Sequence, residues 1–407
     1  MLPVWSLGRC SSLASGHSGY RALGLCNFGG YMVRILHSAD WQMGLRAQHV
    51  ARVASDVRKA RLEAARNVIR AANSLSVDAV VLAGDIFEDN FVEDRLVHEV
   101  LTVLTDSRAP VYVLPGNHDA LTPDAIYRRP SWKQRPAHVI MLDGDLVVPI
   151  PRTNAVLLPA PLRQKKGMKD PTAEWAAQAD LADIRIGVAH GSLRIEGKYS
   201  ADDFPIALNA VARSGLDYLA LGHWHGQYLH DARTAYSGAH ETTKFGEDGS
   251  GQAFLVEISS RGAEPRLTPV ATGSLAWRAL DLDLSQGTAP EVERVRALVA
   301  GLPHPEKTLL RLRTTGTSAD DATSLLSGLE DALGGRGFLH VSVERNDIPR
   351  AEAEGRLADI AGSSSLISSL LGELAGPAAP ASQAPEEAAV RLAARQLLTE
   401  LVMEVWK

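Results

Sequence analysis

Cysteine is nearly absent from this chain. Among 407 residues there are two, Cys10 and Cys26, both within the first 31. The rest has none, which excludes a disulfide framework or a thiolate metal site there. Long apolar runs are missing too: none approaches the roughly 18 to 20 residues that a membrane span requires. Nor does one charge dominate. Lys plus Arg is 42 and Asp plus Glu is 48, a net of −6. That sum argues against coating nucleic acid through bulk charge and leaves room for a local basic groove. What is there is ordinary for a globular protein, with 45% hydrophobic and 22% charged residues and length for two domains or more.

Residues 1–31 are rich in Gly and Ser, show no helix or strand period, and lack the apolar core of a secretory signal. They read as a disordered or mis-called extension ahead of Met32, which opens "MVRILHSAD". A mitochondrial-type presequence, Arg- and Ser-bearing and free of acids, is the alternative. From there apolar runs alternate with helical stretches. "VRIL" precedes a helical pattern carried by Val53, Val57, Leu62, Ala65, Val68, Ile69 and Ala72. "VDAVVLAGD", "APVYVLPGNHD", "NAVLLPAP", "IRIGVAHGS" and "LDYLALGHWHG" follow as buried strands of an α/β fold. "RTAYSGAHE" and "GQAFLVEI" suggest an antiparallel finish. The expected organisation is a main domain over 32–272, a small α/β domain over 273–350, an Ala-, Pro- and Ser-rich linker over 351–385 and an amphipathic helix over 386–407.

Five strand ends carry polar residues of one chemical kind: Asp40 with Gln42, Asp85, Asn117 with His118, His190, and His223 with His225. In a mostly parallel sheet these ends share one edge, where ligands bind. Carboxylates, an amide oxygen and imidazoles without sulfur suit Mn²⁺, Fe²⁺ or Zn²⁺. A carboxylate bridging two such ions about 3.5–4 Å apart supports activation of a water and clamping of a phosphoryl group. Asp85, on a Gly-Asp turn, suits the bridge. His118 is better placed as an acid or a cation facing substrate. Singly, each residue reads as a turn former, a cap or a surface histidine; the ordered set of five does not.

The motifs "DWQ", "GDIFED", "GNHD", "AHGS" and "GHWHG" together resemble those of calcineurin-like metallophosphoesterases. "ILHSADWQMG" and "YSGAHE" are similar to the DNA-repair nuclease branch of SbcD- and YhaO-like proteins. The resemblance covers roughly residues 33–260, and the α/β unit beyond it resembles that branch's capping domain. It implies a four-layer α/β/β/α sandwich with a small α/β cap and a C-terminal helix. It implies two Mn²⁺ ions, with Fe or Zn as alternatives, and cleavage of DNA phosphodiesters. By motif position Asp40, Gln42, Asp85 and His225 would hold one ion. Asp85, Asn117, His190 and His223 would hold the other, and His118 would act on the scissile phosphate. Two residues depart from the pattern. Gln42 stands where the family usually has His, and Glu88 where some repair nucleases carry a second active-site His.

Substrate clues lie in "YRRPSWKQRP" and "LRQKKGMK". Arg128, Arg129, Lys133, Arg135, Lys165 and Lys166 are expected to hold phosphates, with Tyr127 and Trp132 interleaved for stacking on unpaired bases. Solvated loop charge is the plainer reading of both stretches. Trp224 is a candidate base-stacking wall and His240 a candidate substrate contact. The expectation is a Mn-dependent, cytoplasmic DNA repair nuclease without a membrane segment. Its expected partners are DNA, an SMC-like ATPase docked on the C-terminal helix, and a second copy of the chain. A small-molecule phosphodiesterase or phosphatase with the same metal pair, and a catalytically weak scaffold for the ATPase, are the competing readings.

Overall fold

The computed structural model describes residues 32–144, 146–178, 184–284, 287–315, 322–344, 360, 362, 364–374, 394 and 398. The extension expected over 1–31 lies outside the described residues. So does the helix expected over 386–407, apart from Ala394 and Leu398.

The chain runs through β1 (Val33–Ser38), α1 (Ala54–Leu75), β2 (Ala79–Ala83), α2 (Asp94–Thr105), β3 (Val111–Leu114), α3 (Pro130–Lys133) and β4 (Val139–Met141). Then come β5 (Val148–Pro149), β6 (Ala155–Ala160), β7 (Ile184–His190), α4 (Ala210–Ser214), β8 (Tyr218–Gly222), β9 (Tyr228–Asp231) and β10 (Thr234–Tyr236). β11 (Gln252–Ile258) and β12 (Arg266–Ala271) close the main unit.

Two six-stranded sheets result, in the orders β12-β11-β1-β2-β3-β4 and β5-β6-β7-β8-β10-β9. β1, β2, β3 and β4 run parallel, as do β6, β7 and β8, so each set delivers its carboxyl ends to one edge. β2, β3 and β8 are buried along their whole length, which suits their unbroken apolar runs.

Strand alternation sorts the core. Ile35, Val81, Tyr112, Val188, Ala220 and Val256 pack between the two sheets. Leu36, Leu82 and Val113 turn the other way, onto Val68 and Ile69 of α1 and Val97 of α2. On the outer face of the second sheet Leu158 and Leu219 meet Trp175 and Ala210. A polar link crosses deep in the apolar interior: His37 of β1 contacts the Tyr218 hydroxyl through Nδ1 at 2.8 Å and the Leu221 carbonyl through Nε2 at 3.2 Å. The carbonyl can only accept, so Nε2 carries the proton and Nδ1 accepts from Tyr218.

"RTAYSGAHE" and "GQAFLVEI" do not pair with each other. β10 lies in the second sheet and β11 crosses to the first, where it runs antiparallel to β1 and β12. The segment between them therefore spans both sheets. The small unit beyond has three parallel strands, β13 (Ala276–Asp283), β14 (Thr308–Thr315) and β15 (His340–Glu344), with α5 (Thr288–Ala300) and α6 (Ala322–Gly335). Leu309 of this unit packs with Val50, Ala54 and Val57, joining it to the start of α1. Inside the stretch expected as linker, α7 (Ser365–Leu374) forms. Its Ile367 is buried against Ile360, Leu371 and Leu398, an apolar spacing that the linker composition downstream had masked.

Candidate metal centre

Asp40, Asp85 and His190 come together at the ends of β1, β2 and β7. They are fully or almost fully buried, with one potential ligand atom each, all within 4.8 Å of one another. Tight backbone turns deliver these residues. Asp40, Gln42, Asp85 and His223 all have positive φ, at 54°, 38°, 54° and 110°. Such conformations cost about 1–3 kcal/mol each and persist where surrounding structure over-determines them. Here backbone bonds do so: Asp40 N–H donates to the Gly84 carbonyl at 3.1 Å and Gln42 N–H to the Asp85 carbonyl at 2.8 Å. The ends of β2 and β8 must also approach closely. At Gly222 an added Cβ would lie 2.0 Å from the Ala83 carbonyl oxygen.

The three histidines share one device. His190 Nδ1 lies 2.8 Å from the Ala83 carbonyl, so Nδ1 carries the proton and donates. Its Nε2 is then turned to Asn117 Oδ1 at 2.9 Å and Asp85 Oδ2 at 3.3 Å. His223 is held the opposite way round: Nε2 meets Asp203 Oδ1 at 2.9 Å and Nδ1 faces Asn117 Oδ1 at 3.1 Å. His225 Nδ1 sits 2.6 Å from Glu247 Oε1, which leaves Nε2 for the centre. In each case a protein acceptor fixes one ring nitrogen and orients the other, the usual arrangement behind metal-ligating imidazoles. With two buried carboxylates and an amide oxygen, this donor set fits a pair of divalent cations.

The electrostatics agree. Burial alone would raise Asp85, but His190 and His118 beside it outweigh that and hold it below the usual carboxylate range. Burial alone would lower His190, but Asp85 and Asp40 hold it up at about 9. The His190 shift reports the negative potential of Asp85 and Asp40, which favours a cation at this spot, whether proton or metal; the Asp85 shift reports the imidazoles that face it. Asp40 goes the other way: burial raises it more than His190 and His225 lower it. Both its oxygens accept the His223 N–H, at 3.1 and 3.0 Å.

Asp119 organises the loop that carries Asn117 and His118. It accepts the N–H groups of Gly116, Ile86 and Phe87 at 2.7, 2.8 and 3.1 Å, and a short bond from the Tyr127 hydroxyl. Burial and the neighbouring Asp85 push it up to about 6. His118 donates its backbone N–H to Asp85 Oδ1 at 2.9 Å, and its ring Nδ1 donates to the Glu88 carbonyl at 2.8 Å. Its Nε2 is left for other partners. Glu88 thus meets His118 through its backbone, while its Oε2 is buried without a hydrogen bond among the described residues. Gln42 is 5% exposed, and its side-chain amide makes no hydrogen bond among the described residues.

Several expected substrate contacts are placed elsewhere. Tyr127 and Trp132 are not available for stacking on bases. Both are buried, packed on each other and on Phe87. His240 reaches no surface either: Trp41 covers its ring and its Nε2 donates to the Arg61 carbonyl at 2.8 Å. Arg129 is bound to the carbonyls of Val92 and Asn90, a bracket on the loop after Asp85. Trp224 is half-buried, stacked on Tyr236 at 4.4 Å, with its indole N–H on Ser192 Oγ. Arg128, Lys133 and Lys165 are exposed, Arg135 is half-buried, and Lys166 is exposed and paired with Asp202 at 2.6 Å.

Three supporting residues had gone unnoticed in the sequence. Asp203 and Glu247 orient histidines from irregular loops that have no period. Arg61 lies within the apolar period of α1, yet its buried guanidinium reaches the carbonyls of Asp40, Trp41 and Glu241. A basic residue on a buried helical face was the available signal.

Residues 33–227 match the profile of the calcineurin-like phosphoesterase family. The D subunit of the SbcCD nuclease of Bacillus subtilis is 26% identical over 297 residues, covering 61% of this chain and 72% of that protein. The uncharacterized metallophosphoesterase YhaO of the same organism is 24% identical over 274 residues, covering 64% of this chain and 62% of its own length. The DNA double-strand break repair protein Mre11 of Methanosarcina mazei is 38% identical over a shorter stretch of 92 residues, 22% of this chain and 14% of that one.

Proposed function

We propose, on the premise that residues 33–227 are a calcineurin-like phosphoesterase domain of a metal-dependent phosphodiesterase, that this chain hydrolyses the DNA backbone as a Mn²⁺-dependent repair nuclease. Asp40, Gln42, Asp85 and His225 would hold one ion, and Asp85, Asn117, His190 and His223 the other, with Fe or Zn as alternative metals. Such a pair supplies Lewis acidity toward the phosphoryl oxygens and toward the attacking water. His118 holds a proton at Nε2 for the leaving oxygen, its ring fixed by the Glu88 carbonyl. Asp203 and Glu247 keep their histidines in the ligating tautomer.

The observation that carries the DNA reading is how the basic strips attach to the centre. Lys166 pairs with Asp202, and the next residue, Asp203, holds His223. Leu121, just past His118, is bonded through its N–H to the Leu162 carbonyl, at the start of the second strip. Lys165, Lys166, Arg128, Lys133 and Arg135 therefore flank the loops that form the centre. A DNA strand needs such cations for the phosphates beside the one being cut. Asp94 lies against the first strip itself, 3.5 Å from Arg129 and 2.8 Å from Ser131 Oγ, and offsets its charge, which favours a second reading, a small phosphodiester that never reaches the basic strips.

The remaining parts of the reading are a cap over 273–350, a C-terminal segment 386–407 that docks an SMC-like ATPase, self-association and a cytoplasmic site of action. No helix among the described residues is long and apolar enough to cross a membrane.

Purified protein is assayed on labelled single- and double-stranded DNA and on a small chromogenic diester, with Mn²⁺ or chelator. Asp85→Ala is expected to lose bound metal and all hydrolysis. His118→Ala is expected to keep metal and lose about 10²–10⁴-fold in turnover. Neutralising the basic set should lower DNA cleavage far more than diester hydrolysis and flatten its salt dependence. A chain that cleaves the small diester in Mn²⁺ and leaves DNA intact has the second function instead.

A further inference from the structure

A pocket of about 130 Å³ lies beside the Asn117–His118 loop and belongs to no part of the metal centre. It is lined by Arg128, Arg135, Arg163 and Asp143, and by Leu121, Tyr127 and Met141. Three arginines against one aspartate, among the described residues, give its wall a positive balance that suits anions. Its volume is far below the roughly 300–1,000 Å³ of pockets that enclose a whole small molecule. The occupant is therefore a single small anionic group. Arg128 makes no side-chain hydrogen bond among the described residues, and Arg135 uses only Nε, on the Val139 carbonyl at 3.2 Å. Their terminal N–H groups are the forked donors that suit phosphate oxygens.

The back wall connects to catalysis. Tyr127 donates its hydroxyl to Asp119, which gathers the N–H groups of Gly116, Ile86 and Phe87 on both sides of the proposed ligands Asp85 and Asn117. Arg128 follows Tyr127 in the same single helical turn, Ile126–Arg128. A group seated on Arg128 therefore rests one side chain away from the residue that sets the metal loops.

We infer that this pocket is a phosphate seat, separate from the metal pair, that takes a phosphate of the substrate other than the one being cleaved. The inference rests on the proposed function for the polymer that supplies the phosphate, and on the pocket alone for phosphate binding. The chemistry is shared by an internal diester and by a strand-terminal phosphate.

The test uses the full chain in chelator, so that the metal centre takes no part. Inorganic phosphate is titrated by calorimetry, and the unfolding temperature is followed in parallel. Saturable binding and a saturating rise in unfolding temperature are expected. Both should weaken at least ~10-fold in Arg128→Gln/Arg135→Gln, with Arg128→Lys intermediate because it keeps charge and loses the fork. Phenylglyoxal labelling read by mass spectrometry gives a measure that needs no variant: phosphate should protect Arg128 and Arg135 and leave Arg233 reactive. A thymidine dinucleotide with and without a 5′-phosphate then separates the sources. Equal competition by both assigns an internal diester; competition by the phosphorylated one alone assigns a strand end. Absence of saturable phosphate binding, or no protection of Arg128, overturns the seat even if the protein cuts DNA. A seat that binds phosphate in a protein inert on DNA overturns only the polymer.

Discussion

Glu247 carries His225 on one oxygen and the turn at 243–244 on the other. Its Oε2 accepts N–H and hydroxyl bonds from Thr243 and the N–H of Lys244. Burial would raise this carboxyl, but His225 and Thr243 outweigh that and hold it down at about 2. Glu247→Gln places an amide –NH₂ or a weaker acceptor against these donors and removes the charge behind the imidazole. Metal affinity is expected to fall about 10- to 100-fold, as for other partners of ligating histidines. Calorimetric titration with Mn²⁺ checks this, and wild-type affinity would place His225 outside the coordination sphere. Gln42 gives a second test. A glutamine oxygen is a serviceable but weaker ligand than imidazole for such ions. Gln42→Ala should raise the Mn²⁺ concentration needed for half-maximal activity, and Gln42→His should preserve or lower it. An unchanged requirement in Gln42→Ala removes this side chain from the centre.

The ends of β2 and β8 meet without room for a methyl group. At Gly222 an added Cβ falls 2.0 Å from the Ala83 carbonyl oxygen and 2.8 Å from His190 Nδ1, which that same carbonyl holds. Gly222→Ala should push β8 off β2, lower the unfolding temperature by several degrees for about 1–3 kcal/mol of overpacking, and reduce activity at least ~10-fold. Gly328→Ala, in α6 with nothing within 4 Å, is the contrast and should stabilise slightly. A Gly222→Ala protein with unchanged melting and activity would show that the two ends have slack. These elements explain what could be read in advance. Asp40, Asp85, Asn117, His190 and His223 each end an apolar run, so their convergence follows from a parallel sheet. The fate of Tyr127 and Trp132 did not follow, because packing on Phe87, some 40 residues earlier in the chain, decides it. Asp203 and Glu247 were illegible for a related reason: a loop carboxylate gains its meaning only from the histidine that folding brings to it.

His37 bridges the two sheets through their apolar interior, and its burial predicts an acid-sensitive contribution to the stability of the whole molecule. Burial lowers His37 to about 3 from an ordinary 6.5. The unfolded chain therefore binds a proton that the folded one refuses between these values. Stability is lost as pH falls through that window, at about 1.4 kcal/mol per pH unit below 6.5 at most. Urea midpoints of chelator-treated protein at pH 7 and pH 5 should differ accordingly. His37→Gln, which keeps a donor and an acceptor without a titrating group, should remove that share. An identical pH dependence in both proteins would assign the acid sensitivity to other groups.

The bond between Asp40 and the His223 N–H joins residues 183 apart in the chain. During synthesis at about 5–20 residues per second, Asp40 is incorporated about 10–40 s before His223. Of the proposed ligands, Asp40, Gln42, Asp85 and Asn117 precede the first imidazole, His190, and make a hard-oxygen set that suits magnesium and calcium as well as manganese. The imidazoles that discriminate among metals arrive last. The full proposed donor set is therefore complete only once translation has passed His225.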